Sequence, residues 1–160
     1  MVAASKLHGD FILSSGQRSS VYFDKFRFLT QPDLLRDVAK AAAALLPPDI
    51  TRLGAPEGAA MLLVAAVSLE TGLPVTVVRQ RPKEYGTREQ VEGIVERGAR
   101  VALLEDVSTT GHQVQRAAEV LRATGAEIAV IVLAIDRGGG DHLRDAGYAV
   151  EAVAVLRPDA

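Results

Sequence analysis

The stretch that most constrains this chain runs from Val101 to Gly111, where an apolar run gives way to two acids, hydroxyl side chains and a glycine. Residues 101–104 are apolar without alternation, which predicts a strand buried on both faces. Apolar residues then return with the spacing of an amphipathic helix between 114 and 121. The polar residues in between therefore form a strand-to-helix loop, as in an α/β fold.

The chemistry of this loop suits a phosphate. Ser108 to Gly111 offer hydroxyls and unencumbered backbone N–H groups, and the following helix presents its positive end to them. Glu105 and Asp106 come just before and would repel a phosphate, so we expect them to face another group about a ribose length away. Adjacent sugar hydroxyls or a metal-bound ligand are the natural candidates.

Two other interpretations of the stretch are weaker. An apolar strand ending in two acids also describes a Walker B element, but no G-x-x-x-x-G-K-[ST] sequence precedes it to bind a nucleotide triphosphate. Ser and Thr are also common N-cap residues of helices, yet a cap accounts for one hydroxyl and not for three behind two acids. The stretch therefore favours a site for a phosphorylated sugar.

Length and composition limit the classes of protein that remain. The 160 residues, 48% hydrophobic and 24% charged, fit one domain, 1–160, with its own core. A net charge of −2 without a long basic patch argues against nucleic-acid binding, and no apolar run has membrane-spanning length. Zero cysteines exclude disulfides and thiolate chemistry and fit a cytoplasmic location.

Strands and helices are predicted in alternation along the chain. Residues 10–24 suggest a hairpin, and a helix follows from Thr30 to about Leu46. A short strand at 50–53 leads through small residues into a helix that ends at Gly72. The first half of the chain therefore has the pattern of an α/β domain preceded by a hairpin.

The second half continues this alternation. Strands are predicted at Pro74–Val78, Glu127–Ile135 and about Ala149–Leu156, with a short helix between the last two. Repeated β-α order is typical of a parallel sheet wrapped by helices, whose ligand loops gather at the carboxyl ends of the strands. Those ends carry charged residues that we expect to converge on one cleft: Glu57, Arg79, Glu105, Asp106 and Arg137.

Two further segments suggest parts of a ligand site. Arg79 to Gly93 is too charged to be buried and too long for an ordinary connection, which is typical of a lid, although a solvated loop without function is the alternative. Tyr22, Phe23 and Phe26 can offer flat apolar surface to a heterocycle. On aromatic content alone, packing at the domain edge explains these three residues better.

The acid pair followed by the hydroxyl-rich turn resembles the phosphoribosyl diphosphate (PRPP) motif of the type I phosphoribosyltransferases. Other stretches extend the resemblance to the orotate phosphoribosyltransferase family: Gly9–Ser19 with Tyr22-Phe23-Asp24, Ser68–Pro74 and Lys83–Thr87. The resemblance covers nearly all of residues 8 to 156. It implies an α/β, type I phosphoribosyltransferase fold with a central parallel sheet flanked by helices, a small N-terminal hood at about 8–28 and a mobile lid at 79–93.

The resemblance also implies a reaction, the transfer of the phosphoribosyl group of PRPP to orotate, which gives orotidine 5-monophosphate and diphosphate in pyrimidine synthesis. Catalytic roles are implied for Lys83, Glu105 and Asp106. PRPP contacts are implied for Arg79, Gln80, Lys83, Tyr85, Glu105, Asp106, Val107, Ser108, Thr109, Thr110 and Gly111. Orotate contacts are implied for Arg18, Tyr22, Phe23, Thr109 and Arg137.

Within that set the acids would hold the ribose hydroxyls, and residues 107–111 would hold the 5-phosphate. The loop 54–60 would face the diphosphate, whose charge is shared with Mg²⁺ held mainly through PRPP, without direct protein ligands. The resemblance further implies a homodimer in which Lys83 of the lid is donated across the subunit interface. The implied partners are PRPP and orotate, without nucleic acid or membrane.

Two positions depart from the family pattern. Gln80 stands where the family usually has a lysine, and Ala59-Ala60 stands where paired glycines are common. Two other functions stay open at this point. One is a phosphoribosyltransferase-like enzyme for another base, and the other is a regulator that binds PRPP without turnover.

Overall fold

The computed structural model describes residues 6–12, 18–82 and 90–156. The strands of this part of the chain are β1 (Lys6–Ile12), β2 (Arg18–Phe23), β3 (Arg52–Pro56), β4 (Val75–Val78), β5 (Val91–Glu92), β6 (Arg100–Ser108), β7 (Glu127–Asp136) and β8 (Val150–Val155). The helices are α1 (Phe26–Leu29), α2 (Pro32–Ala43), α3 (Ala60–Thr71), α4 (His112–Ala123) and α5 (Gly139–Asp145).

A six-stranded sheet in the order β5-β4-β3-β6-β7-β8 forms the centre of the fold. Its neighbouring strands run parallel, apart from the antiparallel pair β4 and β5. Strand β6 lies in the middle, between β3 and β7. The carboxyl ends of β3, β4, β6 and β7 therefore meet at one edge, and the predicted parallel sheet is confirmed.

Helices cover both faces of this sheet. Ala102 and Leu104 of β6 pack in the cluster that contains residues of α2 and α3, whereas Val101 and Leu103 pack in the cluster that contains residues of α4 and α5. All four side chains are 0% exposed. Because successive side chains of a strand point to opposite faces, the predicted burial on both faces is confirmed.

Strand β6 is longer than the sequence predicted. It continues to Ser108, so Glu105 and Asp106 lie inside the strand and not in a loop. Pairing with β7 extends from Arg100 to Ser108, which faces Asp136, and this ladder keeps the polar residues extended. The loop before α4 is therefore limited to residues 109–111.

Helix α2 is shorter than predicted. It ends at Ala43, and residues 44–46 form a turn instead of the expected last helical residues. Pro47 and Pro48 follow, and a residue before proline is driven out of the helical region. The difference lies outside the candidate site and does not move any of its residues.

The N-terminal hairpin is confirmed as an antiparallel pair. Strands β1 and β2 pair from Lys6↔Phe23 to Ile12↔Arg18, while the bend at 13–17 lies outside the described residues. Helix α1 follows β2 directly and was not predicted. Its residues Phe28 and Leu29, 0% and 1% exposed, fix the end of the hairpin to the core.

Candidate active site

The acid pair is buried in the middle sheet strand close to its carboxyl end. Glu105 is 5% exposed and Asp106 is 2% exposed. The backbone N–H of Asp106 donates to Glu105 Oε1 at 3.1 Å, which holds the Glu105 side chain beside its neighbour. Two neighbouring carboxyl groups that are both buried are costly unless they share a proton, pair with a cation or hydrogen-bond to a polar ligand.

Burial raises the pKa of the Glu105 carboxyl well above its usual range, and the neighbouring Asp106 carboxyl raises it further, whereas the Lys25 ammonium opposes the shift. Glu105 therefore keeps its proton to a higher pH than an ordinary glutamate. A carboxyl group in this state can both donate and accept hydrogen bonds. The pair thus presents two different partners to a ligand, a carboxyl that readily holds a proton and a carboxylate.

A lysine stands next to the second acid. Lys25 Nζ lies 3.0 Å from Asp106 Oδ2, and the lysine side chain is 40% exposed. The contact is an ion pair without hydrogen-bond geometry, so Asp106 Oδ2 has no hydrogen-bond partner among the described residues. That oxygen can still accept a hydrogen bond from a ligand hydroxyl.

The turn after β6 exposes its central hydroxyl residues. Ser108 is buried, whereas Thr109 and Thr110 are exposed at the start of α4. Gly111 is the N-cap with φ 79°, and no side chain caps the helix. The alternative that a Ser or Thr of this turn is there as a side-chain cap is therefore wrong, and the exposed hydroxyls stand at a free helix N-terminus.

The turn after β7 braces this loop from the side. Arg137 N–H donates to the Ser108 carbonyl at 2.8 Å. Asp136 Oδ1 accepts the N–H groups of Gly138 and Gly140 at 2.8 and 2.9 Å, which fixes the shape of the turn. A Cβ on Gly139 would collide with Ser108 Oγ and with the backbone of residues 109–111, the predicted phosphate turn, so only glycine permits this approach.

A cavity of about 330 Å³ opens beside the phosphate turn, next to the carboxyl ends of β3 and β4. Its lining includes Arg79, Gln80, Thr110, His112 and Arg116. Two guanidinium groups and the N-terminus of α4 make this space favourable for anions. The acid pair is not part of the lining, since it is buried and Lys25 contacts Asp106.

The two ends of the predicted lid are joined at the rim of this cavity. Arg79 N–H donates to the Gln90 carbonyl at 2.8 Å, and Gln90 Nε2 donates to the Arg79 carbonyl at 2.9 Å. Glu57 Oε1, in the turn after β3, accepts the N–H of Gln80 at 2.7 Å. These hydrogen bonds attach the base of the predicted lid to the loop 54–60, which the family resemblance implies would face the diphosphate.

The chain is similar to known proteins over most of its length. The orotate phosphoribosyltransferase of Thermococcus gammatolerans is 46% identical over 147 residues, which are 89% of this chain and 78% of that protein. The orotate phosphoribosyltransferase of Nocardioides sp. is 45% identical over 153 residues, 94% of this chain and 86% of that protein. No family model matches the chain.

A solved structure agrees with these relatives. The crystal structure of orotate phosphoribosyltransferase from Aeropyrum pernix has a TM-score of 0.83 and 32% identity, and the match covers 95% of this chain and 88% of that one. The chain belongs to the orotate phosphoribosyltransferase family. The predicted family, the predicted type I phosphoribosyltransferase fold and the predicted enzyme class are confirmed.

The predicted PRPP residues of this family member fall into two groups. Glu105 to Gly111 lie along β6 and the turn after it, and Arg79, Gln80 and Thr110 line the cavity. Lys83 and Tyr85 lie outside the described residues. The roles of all these residues stay predictions.

The predicted orotate residues are more scattered. Arg137 is half-buried and directly follows β7, so its backbone adjoins the phosphate turn. Arg18 is exposed at the start of β2, whereas Tyr22 and Phe23 are at its end, roughly 16 Å away at about 3.3 Å per residue. The side chains of Tyr22 and Phe23 lie outside the described part of the structure.

Two residues of the site were missed by sequence reasoning. Lys25 gave no signal beyond its place directly after the strand that carries the expected base contacts. Gly139 stands in the triplet Gly138-Gly139-Gly140, which by itself does not show which of the glycines is needed for close packing. Its close approach to Ser108 could be found only from the packing of two turns.

The described residues contain no group of three or more His, Cys, Asp or Glu side chains placed to bind a metal ion. Asp106 Oδ2 is a buried carboxylate oxygen without a hydrogen bond, a donor type that Mg²⁺ prefers, but Lys25 already offsets its charge. That Mg²⁺ is held mainly through PRPP stays a prediction. Within the same part of the chain, no helix has the length and apolar character needed to cross a membrane.

Proposed function

We propose that this chain transfers the phosphoribosyl group of PRPP to orotate and releases diphosphate. The observation that carries the proposal is the continuity of β6 with the turn after it. A buried acid pair leads, within the same strand, into exposed hydroxyls at an uncapped helix N-terminus. One end of this arrangement suits sugar hydroxyls and the other suits a phosphate.

The ribose and its 5-phosphate bind along this line. The N–H groups of residues 109–111 and the hydroxyls of Thr109 and Thr110 bind the 5-phosphate at the start of α4. Asp106 accepts a hydrogen bond from one ribose hydroxyl, and Glu105 exchanges hydrogen bonds with the adjacent hydroxyl. Val107 and Ser108 set the spacing between the two ends, because both remain within the strand.

The reaction replaces one bond at ribose C1 with another. The bond from C1 to the diphosphate oxygen breaks and its electron pair leaves with the diphosphate, while N1 of orotate forms the new bond and its proton passes to solvent water. Positive charge that builds on the ribose is stabilised by the buried Asp106 carboxylate. Arg79 at the cavity and Lys83 of the lid neutralise the departing diphosphate.

Orotate binds on the side of the phosphate turn that adjoins β7. Arg137 meets the orotate carboxylate in a forked contact, and Thr109 lies on the neighbouring turn. Tyr22 and Phe23 cover the ring, and Arg18 contributes a second cation from the start of the hairpin. The backbone bond between Arg137 and Ser108 supports a base site beside the phosphate site.

Mg²⁺ is the cofactor of this proposal and is held mainly by oxygens of PRPP. When bound, it offsets the charge of the diphosphate group. Among the described residues, Asp106 Oδ2 is a poor ligand for it, since this oxygen is ion-paired with Lys25. Removal of the metal by a chelator should therefore abolish PRPP binding without unfolding the protein.

The active species is a cytoplasmic homodimer with a lid shared across its interface. Helix α3 favours contact with a second copy, because its residues 60–67 are all apolar and it exposes Met61, Leu62 and Leu69, the last at 90%. A row of large apolar side chains on one helix face is typical of subunit contacts. In this arrangement the predicted lid would supply Lys83 to the neighbouring site.

The test is an assay of orotate consumption by purified protein with PRPP and Mg²⁺, run beside uracil, adenine and hypoxanthine as competing acceptors. The proposal expects consumption of orotate alone. Turnover of another base with orotate untouched would instead identify a phosphoribosyltransferase of different specificity. Tight PRPP binding without turnover of any base would identify a PRPP-binding regulator.

A further inference from the structure

Lys25 is held in place by the residues around it. It lies between the end of β2 and helix α1, where Asp24 Oδ1 accepts the N–H of Phe26 at 3.1 Å and fixes the turn. Helix α1 is anchored in the core by Phe28 and Leu29. The backbone at Lys25 is therefore attached on both sides, to the end of β2 and to a helix that is anchored in the core.

From this fixed position the ammonium reaches the acid pair. Lys25 Nζ lies 3.0 Å from Asp106 Oδ2, and Asp106 is 2% exposed. A carboxylate so deeply buried is costly to keep charged unless a cation or hydrogen-bond donors compensate. The lysine side chain remains 40% exposed, so it supplies charge to the buried carboxylate from the protein surface.

No second cation shares this task among the described residues. The β7 residues next to the pair, Leu133 to Ile135, are apolar and fully buried, and β3 presents Ala55 and Pro56. The charged groups that act on Glu105 are Asp106 and Lys25. Asp136, the next acid on β7, bonds to its own turn and lies 3.7 Å from Arg144.

We propose that Lys25 is a positioning residue of the PRPP site, whose ammonium offsets the charge of the Asp106 carboxylate and orients it to accept a hydrogen bond from a ribose hydroxyl. The inference rests on the proposed assignment of the acid pair to the ribose. Because the ion pair lacks hydrogen-bond geometry, the lysine does not use up the oxygen that the sugar needs. Its role is electrostatic and does not require contact with the substrate.

Loss of Lys25 should change how PRPP binding depends on pH. The lysine lowers the pKa of Glu105 against the effect of burial, so its removal makes Glu105 take up a proton at higher pH. PRPP affinity, which depends on the hydrogen bonds that Glu105 exchanges with the ribose, then has its acidic midpoint at a higher pH. If Lys25 had only a structural role, its loss would change the stability of the protein and leave the midpoint of PRPP binding unchanged.

The experiment measures PRPP affinity by calorimetry with Mg²⁺ at pH 5 to 9 for the wild-type protein and for Lys25→Met, Lys25→Arg and Arg27→Met. Arg27 is the matched control, because it is a cation two residues further along the chain that pairs with Asp24 at 3.8 Å and not with the acids. Lys25→Met should weaken PRPP binding roughly three- to tenfold at neutral pH, between the effects of exposed and buried ion pairs. Its acidic midpoint should move to higher pH.

Lys25→Arg should keep most of the affinity and the wild-type midpoint, and Arg27→Met should match wild type. Equal affinities and midpoints for Lys25→Met and Arg27→Met, in proteins with normal melting curves, would overturn the inference while leaving the proposed function intact. If Lys25→Met does not fold, the PRPP affinity and the acidic midpoint of Lys25→Gln are compared with those of Arg27→Met instead. A wild-type protein that fails to bind PRPP overturns the proposed function and this inference together.

Discussion

Two strand-to-helix turns meet at the same edge of the sheet and are built in opposite ways. In the turn after β6, a Cβ on Gly111 would come within 2.7 Å of the Gly139 carbonyl, so the loop is packed against its neighbour. In the turn after β3, Gly58 has φ 120° but nothing lies within 4 Å of the place where a Cβ would stand. One turn is braced and the other is open.

The difference matches what the two turns have to bind in the proposed reaction. The 5-phosphate stays attached to the ribose from substrate to product, so a fixed cradle can serve every step. The diphosphate is released, and the open turn that faces it is attached through Glu57 to the base of the lid. We infer that the protein is rigid where its ligand stays and adjustable where its product leaves.

The largest expected effect comes from Asp106, in the strand that leads into the braced turn after β6. Asp106→Asn should lower kcat/KM about 10²–10³-fold, because it removes the charge that stabilises the developing cation on the ribose. The residue lies inside β6 and not at a loop, yet asparagine has the same shape, so the protein should stay folded. Steady-state kinetics, calorimetry with PRPP and a melting curve check this. Unchanged PRPP affinity in a folded variant would contradict the ribose assignment.

The second largest effect concerns the lid above the open turn after β3, to which a second subunit would contribute Lys83. Lys83→Ala and Asp106→Ala should each be inactive, but after subunit exchange the mixture should regain about a quarter of wild-type activity, since half of the dimers are mixed and each has one intact site. Activity of the mixture is measured against each variant alone. No recovery after exchange has been verified by mass spectrometry would mean that the lid closes over its own subunit.

Two glycine variants test the contrast between the turns directly. Gly139→Ala should weaken PRPP binding about tenfold and destabilise the protein by about 1–3 kcal/mol, because the new methyl group collides with Ser108. Gly58→Ala should destabilise through its positive φ while PRPP affinity changes less, because the space around it is open. Melting curves and calorimetry compare them. Equal losses of affinity would remove the distinction between a braced and an open turn.

A smaller effect is expected at the charge-depleted start of the lid. Gln80→Lys should raise kcat roughly two- to fivefold, the range of an exposed charge pair, because the lysine adds a cation near the departing diphosphate. The substitution preserves the contact with Glu57, which uses the backbone N–H of residue 80. Gln80→Met is the uncharged control.

Arg81 sharpens this test, since it is exposed one residue further along the lid. Arg81→Ala should slow the wild-type protein and have little effect once Gln80→Lys is present. Kinetics of the two single variants and the double variant decide the point. If Gln80→Lys leaves kcat and kcat/KM unchanged and Arg81→Ala is silent, the position does not reach the leaving group.

The sequence could predict those parts of the site that depend on neighbours in the chain. Burial of residues 101–104 and the hydroxyl-rich turn have local signals, because side-chain pattern and helix polarity act over a few residues. The true end of β6 was missed, since its last pairs depend on β7. Lys25 and Gly139 were missed for the same reason, because each acts on a residue that is distant in the chain.

The smallest predicted effect concerns the pH dependence of stability at the acid pair. Burial raises the pKa of Glu105 above its ordinary value of 4.5, so the folded state holds this proton more tightly than the unfolded state. The contribution of this group to stability is therefore fully present below that ordinary value and is lost as the pH rises through the raised pKa. Glu105→Gln cannot ionise, so the variant should melt a few degrees, about 2–4 °C, above wild type at neutral pH.

This advantage of Glu105→Gln should shrink to nothing as the pH falls toward the ordinary glutamate value, where the wild-type carboxyl is protonated in both states. Melting temperatures of the ligand-free proteins between pH 4 and 8 provide the measurement. Glu151→Gln, an exposed position on β8, is the control and should show no such trend. A Glu105→Gln variant that is less stable than wild type at neutral pH would mean that the carboxylate is compensated in the folded protein, and the contrast between a proton-holding Glu105 and a charged Asp106 would fail.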